Sequence, residues 1–200
     1  MKEFIKNNPK IKLNDFTSIE KSFEYSLRFE LGDELPNGTK KRVRQAKRRA
    51  LEIFKEYFHT EEKIIAISYE WDDEMFARTP NYLFKTINRS KPDIKKPLAV
   101  MYFEGEDPEY EKGILGQFEL NKSEVNWGKI FKAIANSEMG FDPTCHQILF
   151  LFGKKSNNLF WMYDDRGCLI MTHKKADLNN PYKKFNSWLV EHYRNEFQTN

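Results

Sequence analysis

The sequence is poor in cysteine and has no long apolar stretch, and each shortage excludes a class of protein. Two cysteines among 200 residues, Cys145 and Cys168, are too few for the disulfide framework of a small secreted domain, so we expect both to be buried thiols. No stretch approaches the roughly 18–20 apolar residues of a membrane span, and the opening MKEFIKNNPKIKL lacks the apolar core of a secretory signal. We therefore expect a cytoplasmic protein that does not engage a membrane.

The sequence also lacks the short motifs that mark common catalytic and cofactor sites. It contains no HExxH or CxxC pair, no glycine-rich phosphate loop and no GxSxG turn. Cys145 and His146 are adjacent, but adjacent residues of an extended chain point to opposite faces, so we do not expect a nucleophile and its base. The sequence predicts no catalytic residue, no metal ion and no cofactor, and an enzyme is the less favoured class.

Positive charge is concentrated in one segment. Seven of the ten residues 40–49 are Lys or Arg and none is acidic. The net charge of the chain is +3, so removing these seven charges leaves −4 for the other 190 residues. Because a general nucleic-acid binder is basic over much of its surface, nucleic acid is the less favoured partner.

Periodic patterns predict an α+β fold. Residues 25–31 alternate apolar and polar side chains, as in a strand buried on one face. Residues 39–58 place their apolar side chains on one arc, as in an amphipathic helix capped by Thr39. Further helices are predicted at 82–87, from Asn126 to about Gly140, and from Asn180 to Tyr193. Further strands are predicted at 63–69, 98–103, 114–120, 147–152, 159–163 and 168–172.

Short turns set the expected architecture. The turns GKKSNN and DDRG join the last three strands, so these strands should form an antiparallel meander. We expect a mainly antiparallel sheet with three main helices, beginning near Thr39, Asn126 and Asn180, packed mostly on one side. An aromatic content of 15% supplies one core, so we predict a single domain over 1–200. Residues 1–22 belong to this domain or form a loosely attached N-terminal arm.

The turn YDDRG at 163–167 is the first candidate site. Short polar residues and glycine satisfy turn geometry without any function, which is the favoured interpretation. Alternatively, Arg166 orients one of the carboxylates of Asp164 and Asp165 and leaves the other to a partner or metal ion. Adjacent turn residues rarely face each other across a cleft as paired catalytic carboxylates do. The turn therefore favours a structural or binding role over catalysis.

Arg28 and Glu30 share the polar face of the first strand, which we expect to be half exposed. If that strand were buried on both faces, its charges would need partners such as Asp164 or Asp165. A polar network of these four residues is the alternative, and it is the site that an enzyme would use.

The basic helix is the third candidate. Arg44 and Arg48 lie on one stripe with Lys40 and Lys47, beside the apolar arc. A solvated face is favoured, and the alternative is a surface for an acidic partner, which clustered arginines would steer and contact bidentately. The aromatic residues of this helix lie near its apolar side, whereas RNA-binding surfaces expose aromatics among their cations.

Five segments carry a resemblance to a known family. They are RFELG at 28–32, AKRRALEIFKEYF at 46–58, NSEMG at 136–140, YDDRGC at 163–168 and FNSWLVEHYR at 185–194. In their order and spacing the chain resembles the bacterial family filed as domain of unknown function 3885, known from Bacillus-type genomes. The resemblance covers about residues 23–196. The resemblance implies a shared fold and no mechanism. Many small proteins of this style in such genomes are immunity proteins that neutralise a toxin, so the resemblance suggests inhibition by binding.

The functional prediction is a non-catalytic binding protein, and an immunity protein that neutralises a bacterial toxin by protein–protein contact is its specific form. Its partner would be an acidic or mixed-charge protein, such as a toxin domain. The alternative is a small hydrolase or nucleic-acid-processing enzyme with a polar site near the YDDRG turn. The predicted binding residues are Arg28, Glu30, Asp164, Asp165, Arg166, Arg44 and Arg48.

Overall fold

Seven strands of the described chain form one antiparallel sheet. The computed structural model describes residues 2–71, 79–99 and 109–199. The strands are β1 (Tyr25–Glu30), β2 (Lys63–Trp71), β3 (Lys95–Ala99), β4 (Tyr110–Asn121), β5 (Ile148–Gly153), β6 (Leu159–Met162) and β7 (Gly167–Thr172). Their order in the sheet is β1-β7-β6-β5-β2-β4-β3. The predicted α+β class, the antiparallel sheet and the C-terminal meander of β5, β6 and β7 are confirmed.

The α-helices of the described residues lie before β1, between strands and after β7. They are α1 (Lys2–Asn7), α2 (Thr17–Glu20), α3 (Lys40–Tyr57), α4 (Tyr82–Thr86), α5 (Trp127–Met139), α6 (Asn179–Lys184) and α7 (Glu191–Thr199). The strand predicted at 98–103 corresponds in part to β3, and residues 100–103 lie outside the described residues.

Helices α3 and α5 begin and end where local chemistry dictates. The Thr39 side chain accepts a hydrogen bond from the Arg42 amide at 3.2 Å, which caps α3. The Asn126 side chain accepts one from the Lys129 amide at 3.1 Å and caps α5 in the same way. Helix α5 ends at Gly140, whose φ of 74° suits glycine. The beginnings of both helices and the end of α5 are therefore set by local contacts, independently of the sheet.

The two faces of the sheet carry separate cores. Apolar residues of α3 and α5 pack on one face, where Phe54 meets the rings of Trp127, Phe131 and Phe160 at centroid distances of 4.9–5.5 Å. The N-terminal segment lies on the opposite face and buries four apolar side chains there: Phe4, Ile11, Phe16 and Ile19. The described part of segment 1–22 thus contributes to the core of the second face.

The predicted continuous C-terminal helix from Asn180 to Tyr193 is wrong. The chain forms α6, a short 3₁₀ turn at Asn186–Trp188, and then α7. Between them Leu189 is extended (φ −71°, ψ 135°), forms a β-bridge with Phe29, and is followed by Val190, whose amide donates to the Arg28 carbonyl at 3.0 Å. Strand β1 is an edge strand, so this short extended segment covers part of an edge that would otherwise expose unpaired backbone groups.

Candidate binding surface

The turn between β6 and β7 uses Asp164 for its own geometry. One carboxylate oxygen accepts the Arg166 amide at 2.6 Å, and the other accepts the Arg166 Nε at 2.6 Å. Asp164 is buried, whereas the Arg166 side chain is 66% exposed. Arg166 is therefore the member of this pair that faces solvent, and the Asp164 carboxylate is already occupied.

Asp165 is directed into the protein. Its carboxylate forms an ion pair with Arg42 of α3, and both side chains are almost completely buried. The Arg42 Nη1 also donates to the carbonyls of Gly32 and Leu35, at 2.8 and 2.7 Å. One guanidinium thus joins α3, the turn and the loop after β1, and the Asp165 carboxylate contributes to the fold.

Arg28 and Glu30 do not meet the two aspartates. The Arg28 Nε donates to the Tyr163 hydroxyl at 2.8 Å. Burial raises the pKa of Tyr163 to about 12, although the Arg28 charge acts to lower it. The carbonyl of Glu30 accepts the Arg49 Nη1 at 2.9 Å. The polar residues predicted for an enzyme site thus form separate contacts with Tyr163, Arg49, Arg42 and Arg166.

Of the seven cations of residues 40–49, two form a first group that serves the fold, and the other five form a second group that does not. Arg42 and Arg49 serve the fold: Arg42 pairs with Asp165, and the Arg49 guanidinium lies 5.0 Å from the Trp188 ring centroid. Arg48 is exposed and lies 3.4 Å from Glu52, a solvent-screened pair that contributes little. The other four, Lys40, Lys41, Arg44 and Lys47, make no ion pair within the described chain.

Helix α5 adds two lysines to the second group. A β-carbon at Gly128 would lie 3.2 Å from the Lys47 Cε, and Lys132 shares a groove with Lys40 and Arg44. The two helices therefore run in opposite directions side by side. We define the cationic face as seven residues of these helices: Lys40, Lys41, Arg44, Lys47, Arg48, Lys129 and Lys132.

The charge of the cationic face is not offset within its two helical segments. Residues 40–51 and 125–137 contain no Asp or Glu. The first turn of α3 has no acidic residue, although the N-terminus of a helix is its electropositive end and each cation there costs typically about 0.3–1 kcal/mol. Arg42 gains Asp165 as a partner, but Lys40 and Lys41 gain none among the described residues. The fold itself thus has no use for these two charges.

Sequence reasoning identified Arg44 and Arg48 as candidates but missed Lys129 and Lys132. The signal was present, because the two lysines follow the apolar stripe of α5 at a spacing of three and therefore share one exposed side of that helix. What the sequence alone does not give is the pairing of α3 with α5.

A second polar cluster surrounds Glu70 at the end of β2. Lys91 and Gln147 donate to its carboxylate at 2.5 and 2.9 Å, and the His146 Nε2 lies 3.5 Å away. Burial acts to raise the pKa of Glu70, but hydrogen bonds from these three side chains outweigh it and lower the pKa to about 2. A carboxylate of such low pKa is a poor general base or acid near neutral pH.

The two cysteines, Cys145 and Cys168, are buried thiols. Burial raises the pKa of the Cys145 thiol to about 12 and raises that of Cys168 as well, and such thiols are poor nucleophiles. Among residues 2–71, 79–99 and 109–199, no group of three or more His, Cys, Asp or Glu side chains is placed to hold a metal ion. Within the same ranges, none of the helices has the length and apolar character needed to cross a bilayer.

Together these features define an α+β domain built on one antiparallel sheet, with a cationic face on two helices that pack on one side. The family model described as Domain of unknown function (DUF3885) matches residues 2–193. The chain belongs to that family, as the sequence predicted. No curated protein and no solved structure matches the chain.

Proposed function

We propose that this protein is a non-catalytic binding protein that holds an acidic surface of a protein partner on its cationic face. The observation that carries the proposal is the set of unpaired cations on α3 and α5, two of which lie at the electropositive end of α3. Charges kept where they destabilise a helix have a role outside the fold. Complementary charge would speed association and select the partner.

An acidic protein fits this face better than a nucleic acid. The residues outside 40–49 sum to −4, so a polyanion approaching over a wide area would be repelled. Asp142 and Glu52 also border the cationic face. A protein surface can match a cationic patch with an acidic rim, whereas a phosphate backbone is uniformly negative.

The alternative, a hydrolase or nucleic-acid-processing enzyme near the YDDRG turn, has less support. Asp164 is paired with the exposed Arg166 and Asp165 with the largely buried Arg42, and Arg28 contacts Tyr163 instead of a carboxylate. A catalytic pair of carboxylates would have to face a common cleft.

In its specific form, the proposal makes the partner a bacterial toxin domain that this protein neutralises. Hydrolytic active sites often use carboxylates, and a cationic face that covered such a site would inhibit by occlusion. The test is co-expression with the C-terminal domain of any large secreted toxin whose gene is found beside the gene for this protein. Rescue of growth that is lost in the variant R44E/K132E supports this form, and no rescue with no co-purification at low salt contradicts it.

The general proposal is tested with a fluorescein-labelled poly-glutamate peptide by fluorescence anisotropy. We expect saturable binding that weakens with added salt and falls at least about tenfold in R44E/K132E. The matched control is K155E/K183E, which changes net charge equally at two exposed lysines outside the cationic face. Equal losses in both double variants, no binding by the wild type, or tighter binding of a single-stranded oligonucleotide would each contradict the proposal.

A further inference from the structure

A groove of about 390 Å³ lies within the cationic face, between the N-terminal end of α3 and the C-terminal half of α5. Its cations are Lys40, Arg44 and Lys132, and one acidic residue, Asp142, also lines it. Its apolar lining comes from Val43 and Phe141. The groove therefore combines excess positive charge with an apolar wall.

The apolar wall is held in place by the end of α5. Gly140 adopts the left-handed conformation that ends the helix, and the Phe141 amide donates to the Asn136 carbonyl at 3.2 Å. The Asn136 side-chain amide then donates to the Pro143 carbonyl at 2.9 Å. These contacts anchor the loop on both sides of Phe141, so the groove is preformed and a ligand would pay little to order it.

The lining selects the chemistry of the occupant. A ligand that carries only negative charge would be held by the cations and would leave the Phe141 ring in water. A ligand with a large apolar side chain between carboxylates would bury that ring and satisfy the cations together. The volume lies at the lower end of the range of about 300–1,000 Å³ for ligand pockets, which suits one such side chain and excludes a folded element.

We propose that this groove binds a short acidic segment of the protein partner, with one aromatic side chain of that segment packed against Phe141 and its flanking carboxylates paired with Lys40, Arg44 and Lys132. This inference rests on the proposed function, because it names the part of the partner that the cationic face recognises. Charge complementarity and the single aromatic wall are the two features that define the occupant.

The test compares two fluorescein-labelled peptides by anisotropy: glutamates flanking one phenylalanine, and the same peptide with serine in place of phenylalanine. We expect the phenylalanine peptide to bind about tenfold more tightly. In Phe141→Ser this preference should fall to about onefold. Both peptides should lose binding in R44E/K132E, and circular dichroism should show that each variant is folded.

The possible outcomes separate this inference from the proposed function. Equal binding of the two peptides to the wild type, with loss in R44E/K132E, overturns the groove inference and leaves the acidic-partner proposal standing. A preference for phenylalanine that persists in Phe141→Ser places the aromatic residue elsewhere and also overturns it. Failure of both peptides to bind the wild type overturns both proposals. Because the first comparison changes only the peptide, it holds even if Phe141→Ser does not fold.

Discussion

Arg42 and Asp165 form a buried ion pair across 123 positions of sequence. The pair joins the N-terminal end of α3 to the turn between β6 and β7, and the same guanidinium holds the loop at Gly32 and Leu35. The sequence suggests the acidic turn and the basic helix as separate binding features. In the structure, however, Asp165 of the turn and Arg42 of the helix pair with each other inside the fold. The cations that α3 can present to a partner are those other than Arg42 and Arg49.

Removing one partner of this pair should be strongly destabilising. In R42M the Asp165 carboxylate stays buried without its cation, and breaking a buried pair typically costs about 3–5 kcal/mol. D165N should also destabilise, and the double variant should lose less than the sum because no lone charge remains. Urea unfolding of the two single variants and the double variant measures this coupling. R44M, which removes an exposed arginine two positions away, should change stability little, and strictly additive losses would contradict the interpretation.

Glu70 should make stability depend on pH in the acid range. Its folded pKa, about 2, lies below the ordinary value of 4.5. The ionised carboxylate therefore stabilises the fold fully above about 4.5, and this contribution is lost as the pH falls towards 2. Urea unfolding across this range should show a decline in the wild type that is reduced in E70Q.

Glu119 supplies the comparison for Glu70. Hydrogen bonds from Lys154 and Lys63 lower the pKa of Glu119 to about 2, but its side chain is 37% exposed. Solvent screens such pairs, so E119Q should change the acid dependence less than E70Q does. A larger effect in E119Q would show that burial is not what makes the Glu70 cluster important.

The segment that covers the edge of β1 donates a backbone hydrogen bond from Val190 to that strand. Substituting proline removes the amide that donates to the Arg28 carbonyl, and the extended backbone of Leu189 already suits a residue before proline. We expect V190P to lose about 0.5–1.5 kcal/mol relative to V190A in urea unfolding. Equal stability of the two variants would mean that this hydrogen bond does not hold the segment at the edge.

The same segment shows where sequence patterns stop being informative. Tyr182, Phe185, Trp188 and Leu189 follow a helical stripe, yet α6 ends at Lys184. The backbone is extended at Leu189, where it pairs with the sheet edge. Periodicity reports which side chains are buried, and burial is the same whether Leu189 packs from a helix or from an extended segment. The partner of the backbone is set by the distant strand β1, which local patterns do not contain.

The parts that were predictable are those set by local sequence. Thr39, Asn126 and Gly140 mark the ends of α3 and α5 through capping chemistry that acts within a few residues. The short turns of the meander force antiparallel neighbours. The groove on the cationic face was not predictable, since Arg44 and Lys132 are brought together only by the packing of α3 on α5. Likewise, β2 lies between β4 and β5 in the sheet, although nothing in its own sequence indicates which strands it pairs with.

Two lysines of the cationic face should lower the stability of the fold and strengthen binding of an acidic partner, and both effects can be measured on α3. Lys40 and Lys41 lie at the electropositive end of α3 without an acidic partner in the described chain. Replacing either with glutamate should stabilise the fold by about 0.3–1 kcal/mol and should weaken binding of poly-glutamate. Lys55, in the last turn of the same helix, is the matched control. K55E makes the same charge change where a cation is favourable, so it should destabilise the fold and leave poly-glutamate binding unchanged. If K40E and K41E gained stability without losing affinity, the two lysines would be solvated charges with no part in partner binding.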